Sequence, residues 1–460
     1  MRDITEFFAH EDDFSDLDVA GAVERLSAAI QCKTVNTGAD FSEFDRLQQH
    51  MRNSYPAIMA AGSFELVGHS VLITVPGSDS ELRPCLFMSH QDVVPVVEGT
   101  ENDWTHPAFS GAVADGFIWG RGTLDIKNQV FGVLEAVEYL LAHGNKFART
   151  TYLAFGDDEE TYNRGAKAVS DLLKSRGVTL EFVLDEGGGK ITSGAPYGAP
   201  GLSVCNIDLM EKGYADLEMG VKSAGGHSSR PFGGTSLGRI SQAISRIVEA
   251  PFAASLSPLL KNLFAALTPH ITQEPLKSLV ADIDKNAQAI ADYCLTVPEL
   301  FPLVTTTIAP TIVRGSSAAC NVMPQDMTAV INFRLAQGDT TESVFNHCRE
   351  AVADESVSMR FLQANDPSEA ARTDGFGYAT VSAAMEKYFE GVTCIPSITV
   401  GATDAHHYEQ ICDTCLRCSP FMGNEEDVNR GVHGTDEKLA VRAYAQGIRV
   451  LIHIMQKACL

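Results

Sequence analysis

Four short segments of this chain place carboxylates and imidazoles just after strand-like runs. The first, Ser89-His90-Gln91-Asp92, follows the apolar residues 86–88. A histidine delivered by a strand end suits a divalent metal. Asp92, two residues on, projects to the same side and can accept the other ring N–H. A His-x-Asp pair is also a common structural pair with no metal near it. The second segment, Gly120-Arg121-Gly122-Thr123-Leu124-Asp125, turns tightly on two glycines and sets Asp125 just before a helix. There it either caps the helix or bridges two metals through its two oxygens. The third, Asp157-Asp158-Glu159-Glu160, packs four acids at the end of residues 152–155. They repel one another unless a cation or a proton relieves them, and adjacent glutamates permit one to bind metal while the other moves protons. The fourth, Asp185-Glu186-Gly187-Gly188, follows residues 182–184, and Val432-His433-Gly434 adds a second imidazole. Each segment alone is a weak signal; together they fit a two-metal hydrolytic site.

In open parallel sheets, ligands bind at the carboxyl ends of strands, so the elements around these segments matter. Residues 71–75, 86–88, 152–155 and 182–184 read as buried strands. Residues 127–143 and about 166–175 read as helices, the first with Val130, Val133, Leu134, Val137, Leu140 and Leu141 on one stripe. That alternation predicts an α/β fold with a mostly parallel sheet covered by helices on both faces. The pattern then changes. Residues 203–209, 215–221, 306–312 and 328–334 read as strands, 236–248 as an amphipathic helix, and 253–297 as an Ala- and Leu-rich helical stretch. A smaller α+β domain over 211–365, inserted into a larger one over 1–210 and 366–460, accounts for this. Residues 397–400 and 436–456 return to the first pattern, as a strand and a long final helix.

At 460 residues the chain has room for two cores. Its 59 acidic and 35 basic residues give a net charge of −24. Such a surface repels phosphate backbones and anionic lipid, which argues against nucleic-acid or membrane binding as the main activity. The N-terminal segment is acidic and lacks the apolar core of a signal peptide, and no run is long enough for a membrane helix. Eleven cysteines without a secretory signal predict free thiols in a reducing cytoplasm. Cys412, Cys415 and Cys418 resemble part of a metal motif, but a fourth ligand is missing and a strand would alternate them between faces. They read as small buried hydrophobes.

With these motifs in order — SHQDVVPV, WGRGTLDIK, GDDEE, VLDEGG, EKG, GGHSSRP, NVMP with INFR, GATDA and VHGTDE — the chain resembles the M20 family of metallopeptidases and aminoacylases, in its carboxypeptidase S-like branch. The resemblance implies a zinc-peptidase-like fold whose inserted domain serves as lid and dimerisation surface, and a homodimer. It implies two divalent metal ions, zinc by default, one held by His90, Asp125 and Asp185 and the other by Asp125, Glu160 and His433. Asp125 would bridge them, Asp92 would orient His90, and Glu159 would be the general base. His227 would stabilise the oxyanion, often from the partner subunit. Asn321 and Arg334 would grip the substrate's carboxylate and polar groups, and Gly401 would let substrate approach the backbone. The implied substrate is a peptide, as for a carboxypeptidase or dipeptidase, or else an N-acyl amino acid. Three positions depart from the family pattern: Asn128, the Thr161–Arg164 turn and His406, which stands where Arg is usual. A non-catalytic binding protein of this fold would ordinarily lack a ligand or the base, and none is lacking here. The helical stretch 253–297 either lines a channel for a long acyl group or serves packing and dimer contacts.

Overall fold

Strands in the larger unit carry apolar residues at every position because both faces of their sheet are covered. In Cys85–His90, Cys85 and Phe87 join one buried cluster while Leu86 and Met88 join the cluster on the other face. The same alternation divides Val71 and Ile73 from Leu72, Leu153 and Phe155 from Ala154, and Phe182 and Leu184 from Val183. The computed structural model describes residues 3–317, 319–423, 428 and 430–460; the first two residues of the acidic N-terminal segment lie outside that set.

Across the larger sheet the strands run Ser63–Val67, Ser70–Val75, Thr151–Gly156, Cys85–His90, Phe182–Asp185, Cys415–Arg417, Ser203–Glu211 and Val392–Thr399, with Ile191–Ser193 beside Ser203–Glu211. The four strands from Thr151–Gly156 to Cys415–Arg417 pair in parallel, so their carboxyl ends share one edge. Antiparallel pairing flanks them, and the last pair, Ser203–Glu211 with Val392–Thr399, is parallel again. Helix Lys127–Ala142 lies on one face, against Val19–Ile30 and Val441–Ala458, and helix Arg164–Ser175 on the other. Helix Lys127–Ala142 is buried over nearly its whole circumference, not along one stripe, because helices cover the side that a surface helix would show to water.

The smaller sheet runs Thr307–Gly315, Asp326–Leu335, Gly213–Lys222, Ser358–Asn365, all antiparallel. Its second and third strands alternate buried and open positions. Helices Ser236–Val248 and Thr341–Val352 cover one face and form a separate core with Leu217, Ile331 and Val344. The helical stretch departs from the expected 211–365 domain. Leu259, Leu263, Phe264, Leu267 and Ile290 belong to the larger core, and helix Pro258–Leu267 packs along the edge strand Val392–Thr399. An edge strand left bare would expose a row of unpaired backbone groups, and this helix covers it.

All eleven cysteines are free, and ten are buried. Cys412 and Cys415 join one buried cluster and Cys418 the other, so the three side chains divide between the faces of the sheet. Among the described residues no helix is long and apolar enough to cross a membrane.

Phe131, fully buried on helix Lys127–Ala142 and stacked near His50 and Tyr55, tests how much this helix holds the larger unit together. Phe131→Ala is expected to cost about 3–5 kcal/mol in urea unfolding monitored by far-UV circular dichroism.

Candidate metal centre

His90 is the last residue of its strand and is almost wholly buried. Its Nδ1 lies 2.9 Å from the Asp92 carbonyl oxygen and 3.3 Å from the Asp92 carboxylate. The other ring nitrogen, Nε2, faces three carboxylates: Glu186 at 3.1 Å, Asp125 at 3.3 Å and Glu159 at 3.9 Å. It is aligned for a hydrogen bond with none of them. A buried imidazole nitrogen with no hydrogen-bond partner, surrounded by acids, is the arrangement a cation completes.

Asp125 lies between the two imidazoles. One of its oxygens is 3.3 Å from His90 Nε2 and the other 3.1 Å from His433 Nε2. It does not cap the following helix, whose first flanking residue is Ile126 and which has no side-chain cap. His433 Nε2 also lies 3.1 Å from Glu160. Donor atoms of His90, Asp125 and Glu186, of His90, Glu159 and Glu160, and of Asp125, Glu160 and His433 form three overlapping groups, each within 4.8 Å. The overlap makes one shared site with acidic residues between two metal positions.

The surrounding polar groups hold these ligands apart from one another. Asp92 is fully buried, and its two oxygens accept the backbone N–H groups of Glu159 and Glu160 at 3.2 and 3.1 Å. One carboxylate thus sets both the histidine strand end and the glutamate turn. Of the four consecutive acids, the first two are used structurally. Asp157 accepts from the Ser70 hydroxyl, and Asp158 accepts from Gly165 N–H and the Arg164 guanidinium. Across the site, Glu437 accepts three backbone N–H groups, from Gly122, Leu124 and Asp125. Its partner Arg121, at 2.6 Å, also donates to the carbonyls of Gly431 and Gly434 beside His433. Arg121 and Glu437 are both buried, so this ion pair fastens the Asp125 turn to the His433 loop.

Without a cation the cluster is electrostatically frustrated. Burial alone would lower the His90 pKa, but Glu186, Asp125 and Asp92 more than reverse it. Burial pushes the carboxyl of Glu159 well above its usual range and that of Glu186 up to about 7, with His90 opposing both. Asp125 is also subject to burial, yet His433 and His90 hold it below the ordinary range. His433 rises to about 10 through its bonds to Asp125 and Glu160. Divalent cations would relieve this repulsion, so the donor set fits a metal pair.

One expected ligand, Asp185, is not brought into the three overlapping groups. Asp185 is still within its strand, in register with Arg417, and its carboxylate accepts the Ala405 N–H at 3.0 Å. Glu186, the first residue past the strand, turns over the strand tips to within 3.1 Å of His90 Nε2 and so stands beside Asp185 as a candidate for the position the resemblance gives that residue. The strand's end marks this difference in the sequence, where the acid before Gly187 is the one free to turn.

Residues of the smaller unit lie apart from the cluster's contacts. His227 pairs across from Val322, and Ser228 N–H donates to the Asn321 carbonyl, so His227 and Asn321 are neighbours. Both are exposed, and His227 Nδ1 is 2.8 Å from the Ser229 hydroxyl. Arg334 lies over the Tyr214 ring, its guanidinium 4.7 Å from the ring centre. At Gly401 an added Cβ would meet only Thr399 Cγ2, at 3.9 Å, so packing within the fold does not require glycine there. Arg121 and Glu437 went unread in the sequence because their pairing is created by the fold alone.

Comparison with known proteins places these features in context. The description of peptidase family M20/M25/M40 matches residues 86–457. Carboxypeptidase S-like 2 of Dictyostelium discoideum is 31% identical over 460 residues, covering 97% of this chain and 87% of that protein. The N-fatty-acyl-amino acid synthase/hydrolase PM20D1 of Homo sapiens is 31% identical over 447 residues, covering 95% and 87%. Among solved structures, the M20 family metallo-carboxypeptidase Sso-CP2 from Sulfolobus solfataricus shares the fold with a TM-score of 0.68 at 17% identity, covering 95% of this chain and 98% of that one. Human carnosine dipeptidase 1 does so with a TM-score of 0.63 at 14% identity, covering 97% and 98%.

The choice between Asp185 and Glu186 has a direct test. Glu186→Gln is expected to weaken zinc binding, read by competition with a chromophoric chelator, by more than about a hundredfold; Asp185→Asn, acting only through Ala405, should cost about tenfold or less. The reverse order would restore Asp185 as the ligand.

Proposed function

The chain belongs to peptidase family M20/M25/M40, and from that membership we propose that it is a two-zinc amidohydrolase releasing a free amino acid from an N-acyl amino acid. Membership makes it a metal-dependent hydrolase of an amide bond near a free carboxylate, on the carboxypeptidase S-like branch. The acyl assignment rests on a cavity of about 510 Å³ that opens directly off Asp125 and Glu186. Leu124, Ile126, Ile191, Phe421, Met422 and Val432 give it an apolar lining. The Phe421 ring is wedged where a Cβ on either Gly132 or Gly447 would approach it within 2.3 Å, so the two glycines admit it between their helices. An apolar chain attached to the scissile carbonyl fits these apolar groups, which share the lining with Lys190, Thr192 and Ser419. The name of the human relative, an N-fatty-acyl-amino acid synthase/hydrolase, supports the same reading.

His90, Asp125 and Glu186 would hold one cation and Asp125, Glu160 and His433 the other, with Asp125 between them. When bound, the pair would supply Lewis acidity and acidify a water at neutral pH. Glu159 would take that water's proton and return it to the leaving nitrogen, and its burial favours a base that is readily protonated. Asp92 would keep Glu159 in reach by holding its backbone N–H. His227 is assigned the oxyanion, Asn321 and Arg334 the carboxylate and polar groups, and Gly401 the backbone facing the substrate. Their support is the resemblance, together with the exposed, neighbouring positions of His227 and Asn321 where strand Gly226–His227 meets Val322–Met323. A homodimer in which a partner subunit supplies the histidine is part of the proposal.

A peptidase reading has its own support in the carboxypeptidase S-like relative. A panel of dipeptides and of short- and long-chain N-acyl amino acids separates the two. Activity is expected to disappear with chelator, to return with zinc, and to favour long acyl chains; preference for dipeptides would favour the peptidase. Glu159→Gln, with metal content unchanged, should lower kcat by about 10²–10⁴. Met422→Trp, which shortens the apolar cavity, should lower kcat/KM for the longest acyl chains by about tenfold and spare the shortest.

A further inference from the structure

The chain passes between the two units four times; three of the passages meet at Glu211 and Lys212, and the fourth joins them through Thr305. Strand Ser203–Glu211 of the larger sheet runs through Lys212 into strand Gly213–Lys222 of the smaller one. The buried Lys212 ammonium donates to the carbonyls of Pro302 and Thr305, both at 2.7 Å, where the helical stretch re-enters the smaller sheet. Thr305 donates through its hydroxyl to Phe252 in the passage that leaves helix Ser236–Val248. Glu211 exchanges backbone hydrogen bonds with Ser368 in the last passage, donating to its hydroxyl and accepting from its N–H.

The Glu211 side chain reaches from this junction to the turn at residues 403–406. It is buried, and its carboxylate accepts the Thr403 N–H at 2.7 Å and lies 2.9 Å from His406 Nδ1 and 3.5 Å from Arg417. The turn thus held touches both acidic edges of the site. Ala405 N–H donates to Asp185, the residue before Glu186, and Asp404 accepts from Asn163 at the end of the turn that carries Glu159 and Glu160. A continuous set of hydrogen bonds therefore runs from the junction through residues 403–406 to the cluster.

We propose that Glu211 is a positioning residue, which ties the Thr403–His406 turn, and through it the Glu186 strand end and the Glu159–Glu160 turn, to the junction between the two units. The carboxylates are thereby held in register with the connections that join the two units. The inference rests on the two-metal hydrolase reading, but its structural part can be read without catalysis.

Glu211→Gln is the test, with zinc content, kcat, KM and hydrogen–deuterium exchange measured on the zinc-loaded protein. The expected result is an unchanged zinc stoichiometry, a kcat per bound metal pair lowered about tenfold with little change in KM, and faster exchange at Ala405. Ala405 is informative because its N–H bonds to Asp185 and not to Glu211, so its loosening reports transmission along the turn. Wild-type kcat with wild-type exchange at Ala405 would overturn the proposal. Should Glu211→Gln fail to fold, His406→Asn decides: a smaller shift of kcat and Ala405 exchange in the same direction upholds the proposal, and no shift in either overturns it. If the wild-type protein hydrolyses nothing on the substrate panel, the proposed function fails while the exchange at Ala405 still settles whether Glu211 positions the turn.

Discussion

Four carboxylates crowd around two imidazoles at one sheet edge, and their mutual repulsion is the constraint that the surrounding structure answers. Like charges a few ångströms apart in a buried site cannot be left to find their own places. Three of them, Asp125, Glu159 and Glu160, are held through their backbone by a neighbour that is not itself a ligand. Asp92 fixes the glutamate turn through two backbone N–H groups, Glu437 fixes the Asp125 turn through three, and Arg121 closes the His433 loop over both. Parallel pairing brings the ends of Cys85–His90, Thr151–Gly156 and Phe182–Asp185 to one edge, where the Asp125 turn and the His433 loop meet them.

Much of this was legible from residue type and position. Strand ends leading to His90 and the Glu159–Glu160 pair could be read because continuous apolar runs stop there, and Asp125 because a two-glycine turn sets it before a helix. What could not be read was set by distance along the chain or by a single backbone step. Asp185 and Glu186 differ by one residue, and only the extent of strand Phe182–Asp185 decides which one turns outward. Arg121 and Glu437 are far apart in sequence, so neither announces its partner. The helical stretch looked like part of the inserted unit because it lies between that unit's strands, yet its leucines face the larger core. Amphipathicity shows that a helix has a buried side but not which core receives it.

The two cores differ in how they are enclosed. The larger one is covered on both faces and at its Val392–Thr399 edge, which suits a rigid platform for a site held to tenths of an ångström. The smaller one covers only one face of its sheet and leaves strand Thr307–Gly315 largely open. A rigid platform and a thinner, exposed unit joined at a compact junction suit a division of labour, in which one holds the cluster and the other presents groups to it.

The position of strand Cys415–Arg417 has a consequence for how the protein is made. It lies between Phe182–Asp185 and Ser203–Glu211, in the middle of the larger sheet, although it comes from the last tenth of the chain. A ribosome delivers it after every other strand of that sheet. Until then the nascent sheet has a gap at its centre, with two unsatisfied inner edges and the Glu186 strand end uncovered. The larger unit therefore cannot close its sheet while its earlier strands are being made, and the carboxylate cluster can assemble only after Cys415–Arg417 has emerged.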